Sequence, residues 1–236
     1  MIRECIVLAG GLGTRLRSVV ADKPKCMAPI GDKPFLYYLL QYLHRQGITH
    51  AVLSLGYRSE QVIDWCQSTE LPLAVSFAVE PEPLGTGGAI MHALPQLKDN
   101  GFFITNGDTF FEVPLQEQYL FHQQRQSQLT LALKPMRQFE RYGTIQTATD
   151  GSVTAFNEKQ YCEEGLINGG IYLTTAAFLN SLQLPAQFSF EKEVLEKQVQ
   201  HGSLYGFISD TYFIDIGIPE DYERAQYDLT EGTARP

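Results

Sequence analysis

The run Gly10-Gly11-Leu12-Gly13-Thr14-Arg15-Leu16 joins a backbone that can approach a ligand closely to a fixed cation, and Lys23-Pro24-Lys25 adds two more a few residues on. Backbone N–H groups beside lysine and arginine make a pocket suited to a polyphosphate. Taken alone, such a loop reads as a tight turn and Lys23 as a solvated surface charge. No Gly-Lys-Ser/Thr follows at the P-loop spacing, and Leu16 stands where the dinucleotide fingerprint needs a small residue. The next apolar run ends in Gly56 rather than an acid that could bind a ribose hydroxyl, so hydride-transfer chemistry is disfavoured as well. A second turn, Asn106-Gly107-Asp108, ends another apolar run.

The elements that must position these residues follow from periodicity. Ile2 to Ala9 reads as a buried strand feeding the glycine loop. Leu36, Leu39, Leu40 and Leu43 repeat at helical spacing between Pro34, which suits a first helical position, and Gly47, which suits the residue past the end. Strands over 51–55, 73–78 and 102–105 alternate with helices over 60–66 and 87–94. This alternation predicts an α/β, Rossmann-like fold: a mostly parallel central sheet flanked by helices, with ligands beyond the carboxyl ends of its strands. After a helix near 116–126, short strands at 129–134, 144–147, 153–157 and 167–173 and helices near 188–200 and 219–229 suggest a smaller α+β lobe laid as a cap on the same sheet. One domain over 1–236 is expected, with lobes of roughly 1–110 and 111–236.

Lysine and arginine number 18 against 27 acids in 236 residues, a net charge of −9 that argues against nucleic acid or an anionic membrane as partner. No apolar run approaches the length of a membrane span, and the N-terminus carries no secretory pattern, so the cytoplasm is the expected compartment. Cys5, Cys26, Cys66 and Cys162 are scattered, and the five histidines form no ligand motif, so neither a disulfide framework nor a His- or Cys-ligated metal is expected.

With these residues in place, the chain resembles the sugar-1-phosphate nucleotidyltransferases. The resemblance is carried in order by Leu8-Ala9-Gly10-Gly11-Leu12-Gly13-Thr14-Arg15-Leu16 with Lys23-Pro24-Lys25, Leu84-Gly85-Thr86-Gly87-Gly88-Ala89, Asn106-Gly107-Asp108, Tyr142-Gly143, Glu158-Lys159, Asn168-Gly169-Gly170-Ile171-Tyr172 and Asp215-Ile216-Gly217. Ser18, Cys26 and Gln160 depart from the family pattern without removing a charged group. Within the family the chain most resembles the heptose 1-phosphate guanylyltransferases, through blocks such as Arg141-Tyr142-Gly143-Thr144 and Tyr212-Phe213-Ile214-Asp215-Ile216-Gly217.

The resemblance implies attack by a sugar 1-phosphate on the α-phosphorus of GTP or another nucleoside triphosphate. It implies Arg15 and Lys25 as catalytic residues on the triphosphate, and Asp108 and Asp215 as ligands of Mg²⁺. Leu8, Gly10, Gly11, Gly13, Thr14, Glu80, Gly85, Thr86 and Gly87 would bind the nucleotide. Gly143, Glu158, Lys159, Asn168 and Gly169 would bind the sugar phosphate, Lys159 through the phosphate. Glu80 stands where thymidylyl- and uridylyltransferases tend to carry Gln, and a carboxylate can accept both the N1–H and the amino group of guanine. Glu82 is its rival across the Pro-Glu-Pro stretch. Mannose-1-phosphate guanylyltransferase and thymidylyl- or uridylyltransferase activities stay open, as does a non-catalytic nucleotide-sugar sensor. A homo-oligomer is compatible with the sequence.

Overall fold

In the computed structural model, residues 1–11 and 23–230 are described, and all structural statements concern them. Strand β1 (Glu4–Leu8) holds Cys5, Ile6 and Val7 with no exposed surface, as expected for a strand covered on both faces. A short hairpin of β2 (Pro29–Ile30) and β3 (Lys33–Pro34) leads into helix α1 (Phe35–Arg45), which buries Phe35, Leu36, Leu39, Leu40 and Leu43. Pro34 is the extended residue before the helix rather than its first residue. Gly47, at φ +88°, closes the other end: its N–H donates to the His44 carbonyl and that of Ile48 to the Leu43 carbonyl.

β4 (His50–Leu55), α2 (Ser59–Ser68), β5 (Ala74–Val79), α3 (Gly85–Ala93) and β6 (Gly101–Asn106) complete the first half. β1 lies between β4 and β6, and β5 pairs with β4, all in parallel. The Rossmann-like, mostly parallel sheet flanked by helices that the sequence predicts is therefore present. β7 (Thr109–Phe111) and α4 (Leu115–Gln124) follow, then β8 (Leu129–Phe139), β9 (Thr144–Thr147), β10 (Val153–Phe156) and the long β11 (Cys162–Thr175). β11 runs antiparallel to β6 and to β8, so these later strands extend the central sheet itself; they do not form a separate layer laid over it. The ladder between β11 and β8 slips between Asn168 and Tyr172, where Gly169 and Gly170 fall, which is a bulge in the strand.

The described residues close with α5 (Ala176–Ser181), an irregular helical stretch, β12 (Leu204–Ile208), β13 (Phe213–Asp215) and α7 (Pro219–Thr230). The stretch expected as one helix over 188–200 begins with a π-turn at Glu191–Leu195, continues as α6 (Glu196–Gln198) and closes in a 3₁₀ turn at Val199–His201. At its start the Phe190 N–H, free of an intrahelical partner, donates to Thr86 Oγ1 at 2.9 Å. β12 pairs with β8, and β13 pairs with β7 in a separate two-stranded ribbon. Apolar cores fill both faces of the sheet, one around Phe35, Leu39, Phe110 and Ile214, the other around Ile90, Phe102, Phe190 and Leu195. Among the described residues no helix is long and apolar enough to cross a membrane.

Candidate active site

Three charged side chains meet beyond the carboxyl ends of β1 and β6. Buried Cys26 and Met27 pin the 3₁₀ turn Lys25–Met27, and the Lys25 Nζ reaches Asp108 Oδ2 at 2.6 Å and Asp215 Oδ1 at 3.6 Å. Asp108 lies in the two-residue turn, Gly107-Asp108, between β6 and β7. Asp215 ends β13, and the β13–β7 register sets it opposite Thr109, so the two-stranded ribbon carries it to Asp108. Gly107 lets the chain make this turn. Its N–H donates to the Leu8 carbonyl, and a Cβ there would lie 2.8 Å from that same oxygen.

Asp215 Oδ1 is buried and makes no hydrogen bond among the described residues, its ion pair with Lys25 being too long for one. Burial and the neighbouring Asp108 carboxylate raise the Asp215 pKa, against the opposing pull of Lys25 and Arg141. Arg141 lies 3.9 Å from Asp215 and pairs more closely, at 2.7 Å, with Asp221. Tyr142 approaches Asp215 Oδ2 at 3.5 Å, and burial, then the Asp215 charge, pushes its phenol well up. No group of three or more metal-ligating side chains exists among the described residues. Two adjacent carboxylates, one with an unpaired buried oxygen, do fit a Mg²⁺ ion that takes its other ligands from phosphate and water.

Lys25, Asp108 and Asp215 line a cavity of about 1020 Å³ together with Leu8, Gly11, Gly143, Glu158, Lys159, Asn168 and Gly169. A Cβ on Gly143 would lie 2.4 Å from the Asn157 carbonyl oxygen, so the backbone packs closely there. Glu158 and Lys159, just past β10, are exposed. The Asn168 amide donates to the Tyr172 hydroxyl at 2.8 Å, and its carbonyl oxygen accepts from the Gly170 N–H at 3.1 Å. The bulge in β11 and the close approach of backbone to the cavity are thus one feature. Gly169 packs on the Phe111 ring, where a Cβ would come within 2.4 Å.

Glu80 and Gly10 form a neighbouring group. Glu80 Oε2 accepts from the Leu84 N–H at 2.9 Å, and Oε1 lies 2.9 Å from where a Gly10 Cβ would stand. Glu82, between Pro81 and Pro83, is exposed. Gly85, Thr86 and Gly87 are turned to packing: the Gly87 N–H donates to the Phe188 carbonyl, and a Cβ on Gly87 would lie 2.0 Å from the Phe188 ring. Thr86 Oγ1 donates to Glu191 Oε2 at 3.1 Å. Gly10, Glu80, Gly85, Thr86 and Gly87 are absent from the cavity lining, and Gly13, Thr14 and Arg15 lie outside the described residues. The cavity is also lined by Arg141, Tyr142 and Glu191, which sequence reasoning assigned no role. The first two sit in the Arg-Tyr-Gly-Thr block beside Gly143, whereas nothing local marks Glu191.

Residues 4–232 match the Nucleotidyl transferase family. The chain is 49% identical over 226 residues to D-glycero-alpha-D-manno-heptose 1-phosphate guanylyltransferase from Aneurinibacillus thermoaerophilus, with 96% of this chain and 98% of that protein covered. It is 44% identical over 219 residues to the enzyme of the same name from Campylobacter jejuni, covering 93% and 96%. Among solved structures, HddC from Yersinia pseudotuberculosis superimposes with a TM-score of 0.86 at 38% identity, covering 96% of this chain and 99% of that one. HddC complexed with GMP-PN gives a TM-score of 0.85 at 36% identity over the same shares. With its strand-end carboxylates and glycine turns set in that frame, this chain belongs to the nucleotidyl transferase family.

Proposed function

We propose that the protein transfers GMP from GTP to D-glycero-α-D-manno-heptose 1-phosphate, releasing pyrophosphate and forming a GDP-heptose. The observation that carries this reading is the cluster in which Lys25 bridges Asp108 and Asp215 within one cavity shared with Glu158, Lys159 and Asn168. The heptose and the guanine come from the names of the relatives at 49% and 44% identity, and Glu80 beside the Gly10 backbone supports the guanine.

The attacking phosphate oxygen is ionised at neutral pH, so the reaction needs no general base. It needs two mutually repelling anions aligned and their charge compensated. Lys25 spends one short hydrogen bond on Asp108 and has further N–H donors for the α-phosphate. Arg15 contributes to the triphosphate end and Lys159 holds the sugar phosphate. Asp108 and Asp215 would hold Mg²⁺, which when bound supplies compensation for negative charge on the triphosphate. Gly10, Gly11, Gly13 and Thr14 let backbone approach the phosphates, and Glu80 accepts from guanine while its second oxygen stays tied to the Leu84 N–H. Gly85, Thr86 and Gly87 serve the nucleotide by fixing α3 against Phe188. Glu158, Asn168 and the backbone at Gly143 and Gly169 accept from or donate to sugar hydroxyls. The chain acts as a single nucleotidyltransferase domain in the cytoplasm.

The test is pyrophosphate release with GTP and heptose 1-phosphate, beside mannose and glucose 1-phosphates, and with dTTP and UTP in place of GTP. Highest efficiency for GTP with the heptose is expected. Equal or higher efficiency with mannose 1-phosphate would overturn the sugar, and a preference for dTTP or UTP would overturn the base.

A further inference from the structure

The cavity extends past the residues assigned to the sugar. Besides Asn168 and Tyr172 it is lined by Thr154 on β10 and by Glu191, Glu196 and Gln200 on the stretch that replaces the expected helix. That stretch gives the cavity two carboxylates and an amide but no cation, a wall that repels phosphate and suits a neutral polyol.

Glu191 is oriented with unusual completeness. The Phe190 N–H donates to Thr86 Oγ1, so the Thr86 hydroxyl proton is committed to Glu191 Oε2, at 3.1 Å. The Lys192 N–H likewise donates to Ser189 Oγ, whose own proton goes to the same Oε2 at 2.9 Å. Two hydroxyls of fixed polarity therefore hold one carboxylate oxygen, and Oε1 makes no hydrogen bond with a described residue. A carboxylate can only accept, so a preoriented one facing a cavity is matched by a ligand hydroxyl. Glu191 opens the π-turn and lies near Tyr172, whose phenol is pushed up by burial and then by the Glu191 charge, and the Tyr172 hydroxyl in turn accepts from the Asn168 amide.

We infer that this wall is the subsite for the exocyclic chain of the sugar, with Glu191 as its oriented acceptor and Glu196 and Gln200 as its outer polar contacts. The inference rests on the proposed heptose substrate. A heptose carries an exocyclic –CHOH–CH₂OH where mannose carries –CH₂OH, and the vicinal diol offers two hydroxyl donors to one acidic wall. A site built to pair a hydroxyl discriminates strongly against the analogue that lacks it, because its own polar groups are then left unpaired.

The experiment compares kcat/KM for heptose 1-phosphate and mannose 1-phosphate, both with GTP, in the unsubstituted enzyme and in Glu191→Gln, Glu196→Ala and Gln200→Ala. The ratio of heptose to mannose efficiency should fall about tenfold or more in Glu191→Gln and by a smaller factor in the other two, with the change carried by KM. Thermal melting and circular dichroism verify folding, and Glu196→Ala keeps the inference exposed to refutation if loss of the Thr86 contact unfolds Glu191→Gln. A heptose preference kept in every folded variant overturns the subsite alone. An unsubstituted enzyme without heptose preference overturns the sugar assignment and the subsite with it.

Discussion

At the end of the cavity formed by β6, β7 and β13, Lys25 reaches Asp108 at 2.6 Å and Asp215 at 3.6 Å, and glycine turns fix the backbone around them. At the end formed by β9 and β10, Glu158 and Lys159 are exposed and make no hydrogen bond or ion pair with another described residue. The first end is assembled by folding, before any ligand arrives, and its like charges are the cost of that assembly. In the proposed reaction the second would be completed by the sugar phosphate it meets. Preorganisation matters most where charge changes during reaction, so substitutions at the first end should act on turnover and stability, and those at the second on binding.

The largest effect is expected at the carboxylates. Asp108→Asn and Asp215→Asn should each lower turnover by on the order of a hundredfold or more, because each removes a charge that would hold Mg²⁺. Stability should move differently. Asp215 has a raised pKa in the folded protein, first from burial and then from Asp108. The folded state therefore binds its proton more tightly than the unfolded chain, and stability from this group is lost as pH rises from the ordinary aspartate pKa of 3.8 through the raised value. Asp215→Asn should remove that loss, so its melting temperature at pH 7 should equal or exceed that of the unsubstituted protein while activity is lost. A melting temperature several degrees lower would contradict the assembled-charge picture.

Lys25→Met comes next, with turnover lower by roughly thirtyfold from loss of the proposed phosphate contact. It also leaves Asp108 and Asp215 facing each other without their shared cation. The metal-free protein should lose about 1–2 kcal/mol, less than a fully buried broken pair because Asp108 keeps 36% of its side chain exposed. Added Mg²⁺ should restore more melting temperature in this variant than in the unsubstituted protein. Equal responses would mean that Lys25 and the metal do not share the carboxylates.

Glu80 tests whether base reading belongs with the preassembled end. One oxygen is fixed by the Leu84 N–H and the other sits beside Gly10. Glu80→Gln should therefore cost roughly ten- to a hundredfold in efficiency with GTP by facing a guanine donor with another donor. Glu82→Gln, at an exposed position, should change it less than about threefold. The reverse pattern in GTP kinetics would move base reading to Glu82.

The same contrast explains what the sequence made legible. Asp108 could be placed at a strand end because an apolar run stops at Asn106-Gly107-Asp108, and α1 because its period, Pro34 and Gly47 agree. Its partner Asp215 could be found only through family resemblance, since β7 and β13 are three residues each and show no period to read. The stretch at 188–201 has helical spacing, yet it forms as successive π, α and 3₁₀ turns tied to Thr86, a contact across the chain that no local pattern encodes. Gly85 and Gly87 read as ligand-binding glycines, whereas the structure shows what their missing side chains admit: the backbone and ring of Phe188.

The smallest effect on the protein itself, and the sharpest test of the contrast, is Lys159→Met. Lys159 is exposed and its ammonium makes no pair among the described residues, so its removal should leave the melting temperature within about 1 °C, consistent with a surface change of under about 0.5 kcal/mol. Its charge would meet the sugar phosphate, which carries nearly the same charge before and during attack. An interaction equally strong in both states lowers KM without raising kcat. The variant should therefore raise KM for the sugar phosphate about tenfold and leave kcat within about threefold, with the KM for GTP unchanged. Raised ionic strength should weaken sugar-phosphate binding less in Lys159→Met than in the unsubstituted enzyme, because one screened charge pair is gone. A loss carried by kcat instead would place Lys159 at the reacting phosphorus with Lys25, and the division between a preassembled end and a ligand-completed end would fail.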